Sequence, residues 1–177
     1  DNTLDVAEIH SQGLEVLFSG FYKDLIPEYG EALNEYSVYS MISSIAAAFM
    51  VNEAEYKAYT TEDLTIAKLD EIWDETSAKY FLDSSYSEGG WTEINHVFQS
   101  PFYYISYGTS ALACLELYEL NAEDSEKAYD CYMKISSLPS YATFREALEY
   151  GGLTDVFEEG IVSGLCISVA EIYDLTE

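Results

Sequence analysis

Apolar side chains recur at three- and four-residue steps along nearly the whole chain, and no stretch holds a two-residue alternation for more than a few positions. Such a chain can bury its apolar surface only as packed helices. Three prolines in 177 residues leave room for long ones. The spacing predicts a first helix with Leu4, Ala7, Leu14, Leu17, Phe18 and Phe21 on one stripe, interrupted at Gly13, and a turn at Pro27. A long helix follows from Glu28 to Tyr59, carrying Ala32, Tyr36, Tyr39, Ile42, Ala46, Phe49, Met50 and Tyr56. Thr60 and Thr61 read as N-caps of the next, with Asp63 near its positive end. That helix turns Leu64, Ala67, Leu69, Ile72, Trp73, Ala78 and Phe81 to a core.

Asp83 to Gly90 is the clearest loop, rich in Ser and Gly. Ser100-Pro101 combines an N-cap with proline at a first helical position, predicting a helix to about Glu119. Asn121 reads as the cap of the next helix. Pro139 separates that one from a short helix around Thr143 to Glu149, which Gly151-Gly152 ends. Asp155 opens the last, reaching Tyr173. The fold class this predicts is all-α: an irregular multi-helix bundle forming a single domain over residues 1–177, long enough to bury a real core.

Charge narrows the partners. With 33 acidic against 7 basic residues the formal net charge is −26, a field that repels phosphate backbones and anionic lipid, so nucleic acid and membrane partners are excluded. The acidity itself reads as solubility. No apolar run approaches the ~20 residues of a spanning helix, and the richest, Met41 to Val51, holds two serines. Asp1 to Asp5 is acidic where a signal peptide would be basic. Cys114, Cys131 and Cys166 stand far apart in helical patterns, as buried reduced thiols of a cytoplasmic protein would.

Chemistry concentrates around the two histidines. Glu8-Ile-His10-Ser-Gln-Gly-Leu-Glu15 lies on the first helix. A carboxylate on a rigid helix can complete a tetrahedral zinc site when a second helix offers two histidines at i and i+4. In isolation Glu8 reads as a solvated charge, and His10, nearly opposite on the helical wheel, reads as structural. The second segment runs from His96 through Pro101-Phe-Tyr103-Tyr104-Ile-Ser-Tyr107. Tyr104 and Tyr107 share a helix face at three apart, Tyr103 and Tyr107 at four. Phenols aligned this way, with a nearby imidazole, can donate hydrogen bonds to a developing oxyanion. Tyrosines at helical spacing also simply pack, and the chain has 17 of them. Glu93-Ile-Asn-His96 forms one ExxH, but a symmetric di-iron site needs two. No phosphate-binding loop, GxSxG or EF-hand loop is present.

These segments resemble the C-terminal part of the oligoendopeptidase F and thimet oligopeptidase family of zinc metallopeptidases. In that family a HExxH helix is followed by a helix of the pattern E-x-x-S-Q/M-x-x-E, which here reads Glu8, Ser11, Gln12 and Glu15. A histidine then precedes an aromatic PFYYxxY helix, matched by His96, Pro101, Phe102, Tyr103, Tyr104 and Tyr107. The ending SLPSYATFREALEYGGLTDVFEEGI is similar to the family's closing helices. The resemblance implies the catalytic subdomain of a zincin-type helical metallopeptidase. It makes Glu8 the third zinc ligand, with Glu15 orienting the ligands behind it. It makes His96 and Tyr107 the groups on the scissile carbonyl or tetrahedral intermediate, assisted by Tyr103 or Tyr104.

HExxH itself is missing from the sequence. The resemblance therefore implies a fragment whose missing N-terminal region carries HExxH about 20–30 residues before Glu8, helices of ordinary length intervening. Zinc would belong to the complete enzyme and short peptides would be its substrates. The chain alone would bind no metal and be inactive, and exposed apolar surface could drive self-association. A second reading, from another class, is a non-catalytic acidic helical module that binds a protein or peptide.

Overall fold

The computed structural model describes residues 3–80 and 89–172, the side chains of Cys166, Ala170 and Ile172 excepted. Among these residues there is no strand, as the periodicity predicts. In chain order the helices are α1 (Leu4–Ser19), α2 (Tyr22–Leu25), α3 (Gly30–Thr60), α4 (Ile66–Lys79), α5 (Asn95–Gln99), α6 (Ile105–Glu123), α7 (Ser125–Ser136), α8 (Phe144–Gly151) and α9 (Ile161–Ile172). A 3-10 turn, Gly90–Glu93, precedes α5. The chain divides into two compact units, one of Asp1–Ile42 with Thr109–Glu177, the other of Ser43–Gly108. None of the described helices is long and apolar enough to cross a membrane.

In the first unit α1 packs on α7 and α8. Its buried residues are Val6, Ile9, Gly13, Val16 and Ser19. The stripe expected from Leu4, Leu14, Phe18 and Phe21 is instead exposed, each of the four by 47% or more. Two apolar faces compete on this helix. Gly13, read as an interruption, lies on the buried face, where a Cβ would sit 3.2 Å from the Tyr132 ring. Burying Val6, Ile9 and Val16 contributes roughly 1.5–3 kcal/mol per side chain.

Asp124, not Asn121, caps α7, accepting from the Lys127 amide at 3.1 Å, while Asn121 lies within α6. The short predicted helix near Thr143 is α8. Thr143 and Glu146 form a reciprocal capping box at its start, and Gly152 ends it at φ 87°. The last helix begins at Ile161 rather than Asp155, whose carboxylate instead pairs with Arg145 at 3.2 Å. Its expected end at Tyr173 lies outside the described residues. Cys114 and Cys131 are buried free thiols, and burial pushes Cys114 up strongly and Cys131 up to about 11.

The second unit is built on Met50, Val51, Ala54 and Trp73, with Ile72, Tyr80, Trp91, Ile94, Val97 and Tyr104 packed against them. Here the periodicity located α3 and one residue of its inward face, Met50, but not the rest. Tyr56 is 63% exposed, whereas Ala47, Ala48, Met50, Val51 and Ala54 are buried. Gly108 of α6 lies so close to α3 that a Cβ would stand 2.9 Å from that of Ala48. Thr65 caps α4, not Thr60 or Thr61. The Thr60 hydroxyl bonds back to the Tyr56 carbonyl at 2.7 Å, extending α3, and Asp63 at φ 49° then turns the chain. Of the predicted α4 core, Trp73 is buried and Leu69 and Ile72 partly so, while Leu64, Ala67 and Ala78 are exposed and Phe81 is not described. Residues 83–88 of the predicted loop also lie outside the description, and Gly89 follows at φ 83°.

Candidate active site

His96 precedes the helix that carries Tyr107, as expected, and lies in a helix of its own, the five-residue α5. Too short to hold itself, α5 is anchored by neighbours: Ile94 and Val97 pack on the Met50–Trp73 core, and the Phe98 ring lies 5.8 Å from that of Trp91. The Trp91 indole in turn donates to Asp70 at 2.8 Å. With Val97 turned to the core, the next position on the wheel puts His96 about 100° around the helix axis.

The predicted helix start at Ser100-Pro101 is overridden. Phe102 takes φ 60°, a left-handed conformation rare for a bulky residue, and α6 starts only at Ile105. The turn is tied at both ends. The Ser100 amide donates to the His96 carbonyl at 2.9 Å, and the Tyr103 amide to the Ser100 carbonyl at 3.0 Å. The Phe102 amide donates to the Glu55 carboxylate at 3.1 Å, and the Phe102 ring lies 5.3 Å from that of Tyr59.

This turn brings four of the sequence-predicted residues together. The His96 ring stacks on Tyr103 at 5.3 Å between centroids and meets the edges of Tyr104 at 5.5 Å and Tyr107 at 5.6 Å. Tyr107 lies 5.4 Å from each of the other tyrosine rings. Its hydroxyl stands 3.3 Å from His96 Nε2, and the tautomer decides which partner donates. Aromatic pairs of this kind contribute about 0.5–1.5 kcal/mol each beyond their buried area, so the four rings hold one another in place. All four are only partly buried. An imidazole N–H and a phenolic O–H side by side can both donate to one negatively charged oxygen.

Sequence reasoning missed Glu55. It is 1% exposed, and burial raises its carboxyl, opposed by the Phe102 amide and by positive charge on His96. The signal was present: Glu55 follows Ala48 and Val51 at helical steps of three and four, a carboxylate on an apolar face.

Glu8 belongs to the other unit. It lies on α1, partly buried, with the Ser11 hydroxyl 2.8 Å from its Oε2. Asp5 and Gln12, at three before and four after it, share its face of the helix. They accept hydrogen bonds from the buried Thr109 and Ser110 at 2.7 and 3.0 Å, so the backbone beneath Glu8 is pinned on both sides. Glu15, one turn past Gln12, is exposed. His10 is engaged by α7: Tyr132 donates to its carbonyl at 3.1 Å, and Nδ1 lies 3.4 Å from the Ser136 hydroxyl. Among the described residues no three His, Cys, Asp or Glu side chains stand together to hold a metal. A lone carboxylate fits one position in a zinc shell and no more.

These helices define a fold seen before. It is that of oligoendopeptidase F structures, of which this chain matches a part. An oligoendopeptidase F solved by X-ray crystallography at 3.1 Å aligns over 99% of this chain with a TM-score of 0.90 and 21% identity. PZ peptidase A, solved with an inhibitor, aligns over 99% at TM-score 0.88 and 21% identity, and an oligoendopeptidase F from Bacillus anthracis strain Ames over 99% at 0.82 and 20%. The match spans 32%, 33% and 29% of those chains, so this chain covers about a third of their length. No family model matches the sequence, and neither does any curated protein.

Proposed function

We propose that this chain is the C-terminal part of a zinc-dependent oligoendopeptidase that hydrolyses short peptides, and that it supplies the groups which bind the negatively charged oxygen formed at the scissile carbonyl. The observation that carries this reading is the His96–Tyr107 pair, an imidazole nitrogen and a phenolic oxygen 3.3 Å apart. It lies in a chain with the fold of oligoendopeptidase F structures.

The chemistry follows from the donors. As a carbonyl carbon becomes tetrahedral its oxygen gains negative charge, and donors already in place stabilise that charge without rearranging. His96 and Tyr107 are those donors. Tyr103, stacked on the imidazole, and Tyr104, at its edge, hold the ring plane. Losing one such donor typically costs 10²–10³ in kcat, about 2.7–4 kcal/mol. Glu8, fixed by Ser11 on a pinned stretch of α1, serves in this reading as the third ligand of a zinc ion in the complete enzyme, with Glu15 behind it. Among the described residues the chain's own donors do not complete that site. The reading includes a cytoplasmic setting, supported by the buried free thiols of Cys114 and Cys131. The exposed Leu14, Phe18, Phe21 and Leu25 support contact with the remainder of such an enzyme, or with a second copy of this chain.

The test compares the 177-residue chain with the gene product that includes the residues before Asp1. The chain alone binds no stoichiometric zinc and does not cleave a quenched fluorescent peptide. The longer product does both, losing zinc in Glu8→Ala and kcat in His96→Ala and Tyr107→Phe. Zinc and turnover in the short chain, abolished by Glu8→Ala, overturn the division of labour. Full kcat in both His96→Ala and Tyr107→Phe overturns the function.

A further inference from the structure

Three features suggest that the Phe102 turn is held from outside itself. Phe102 carries a bulky side chain at φ 60°, a conformation that persists only where surrounding structure imposes it. The turn contains no glycine that would adopt that φ freely. And α3 grips the residue twice from one face: Glu55 takes its amide, and Tyr59, one turn on, meets its ring.

We propose that Glu55 is a positioning residue for the His96–tyrosine cluster, its buried carboxylate holding the Phe102 amide and thereby the left-handed turn that delivers Tyr103, Tyr104 and Tyr107 to the His96 ring.

A carboxylate at this depth is a poor choice for stability alone. One oxygen accepts from Phe102, and the other has no hydrogen-bond partner among the described residues although it is buried. An apolar side chain would avoid that cost, but it could not accept from the amide. What the carboxylate adds is direction. A charged acceptor binds an amide about twice as strongly as a neutral one, and it reaches across 47 residues of sequence to a turn whose local preference is for another conformation. Burial raises the Glu55 carboxyl while the amide and the His96 charge lower it, which sets the same three groups against one another. Tyr103 follows Phe102 directly, so a change of φ at Phe102 swings every ring that meets His96.

The inference concerns geometry. It bears on catalysis only through the function proposed above and rests on that reading there. The experiment uses the 177-residue chain and NMR. In the wild type, NOEs connect the His96 imidazole protons to the Tyr103 and Tyr107 rings, and the Phe102 amide is protected from hydrogen exchange. Glu55→Gln keeps an acceptor oxygen and retains both signals. Glu55→Leu loses the imidazole–tyrosine NOEs and at least tenfold of the Phe102 protection, while helical ellipticity and Tm are maintained. Adding Phe102→Gly to Glu55→Leu, which frees the left-handed φ from its steric penalty, restores a measurable part of the NOEs.

A merely structural Glu55 would lower Tm in Glu55→Leu and leave the NOEs of the folded fraction intact; that result overturns the proposal. If Glu55→Leu does not fold, Glu55→Ala and the wild-type exchange rate decide. An unprotected Phe102 amide in the wild type, or NOEs unchanged in Glu55→Ala, overturns it equally. Peptidase assays of the longer gene product form a separate arm. If no variant of it shows turnover while the NMR results come out as stated, the proposed function fails and the positioning role stands.

Discussion

His10 and His96 are the chain's two imidazoles, each partly buried and each meeting a tyrosine ring edge-on, at 6.1 Å from Tyr132 and 5.6 Å from Tyr107. Their surroundings nevertheless do opposite things. His10 rides a sixteen-residue helix whose regular backbone fixes where it points, and its neighbours on α7 use its carbonyl and Nδ1 for packing. Around it a single aromatic ring and a serine suffice. His96 sits on a five-residue helix beside a turn at positive φ, and three tyrosines converge on it. Regular helix surface spaces side chains evenly, and it takes a short helix followed by an irregular turn to crowd four ring systems into one place. Similar burial therefore goes with different surroundings: one ring meets His10, and three converge on His96.

The largest effect that would break this comparison lies in activity. On the proposed function, His96→Ala in the longer gene product should lower kcat by about 10²–10³ with little change in KM, whereas His10→Ala should stay within about twofold; equal losses would erase the distinction.

Next come two glycines, one on the helix that carries His10 and one next to Tyr107 in sequence. Gly108→Ala drives a Cβ to 2.9 Å from that of Ala48, which cannot swing away. Overpacking of about 1–3 kcal/mol should outweigh the roughly 1 kcal/mol that alanine adds in a helix. Gly13→Ala meets the Tyr132 ring at 3.2 Å, and a small ring shift accommodates it. Denaturant midpoints should fall for the first and barely move for the second; the reverse order would mean that the packing differs from that described.

Smaller effects come from titration. Glu53 is held down to about 2, first by the Lys79 hydrogen bond, then by Lys57 and Tyr80 against the opposing effect of burial. A depressed carboxylate stabilises the fold above its unfolded pKa near 4.5 and loses that contribution as pH falls toward 2. Glu53→Gln should flatten the acid limb of a stability–pH curve in that window. Smallest is His10, whose pKa burial lowers. The unfolded chain then holds more protons than the folded one below about pH 6.5, so stability should fall as pH drops through that range. His10→Gln should remove this slope, as followed by thermal melts between pH 5 and 7.5.

Much of the fold was legible because it is local. The long α3 and the short α8 follow from spacing and from the Thr143–Glu146 box, and His96 with Tyr103, Tyr104 and Tyr107 stand close enough in sequence to be read as a cluster. The faces were less legible. On α1 and α3 apolar residues occupy more than half the circumference, so periodicity alone could not choose the inward side, and tertiary packing chose it. Proline at 101 suggested a helix start that local preference favours, yet α6 begins four residues later because Glu55 and Tyr59 hold Phe102.

What sequence alone determined, then, is the helical class and the inventory of donors, both set by interactions within a few residues along the chain. Tertiary structure decided which face of each helix is buried, where α6 starts, and that the carboxylate of Glu55 reaches the Phe102 turn. Those outcomes depend on contacts between residues far apart along the chain, 47 positions for Glu55 and Phe102 and more for Gly13 and Tyr132. At such separations side-chain packing and the need to satisfy buried amides override what any short window of sequence prefers.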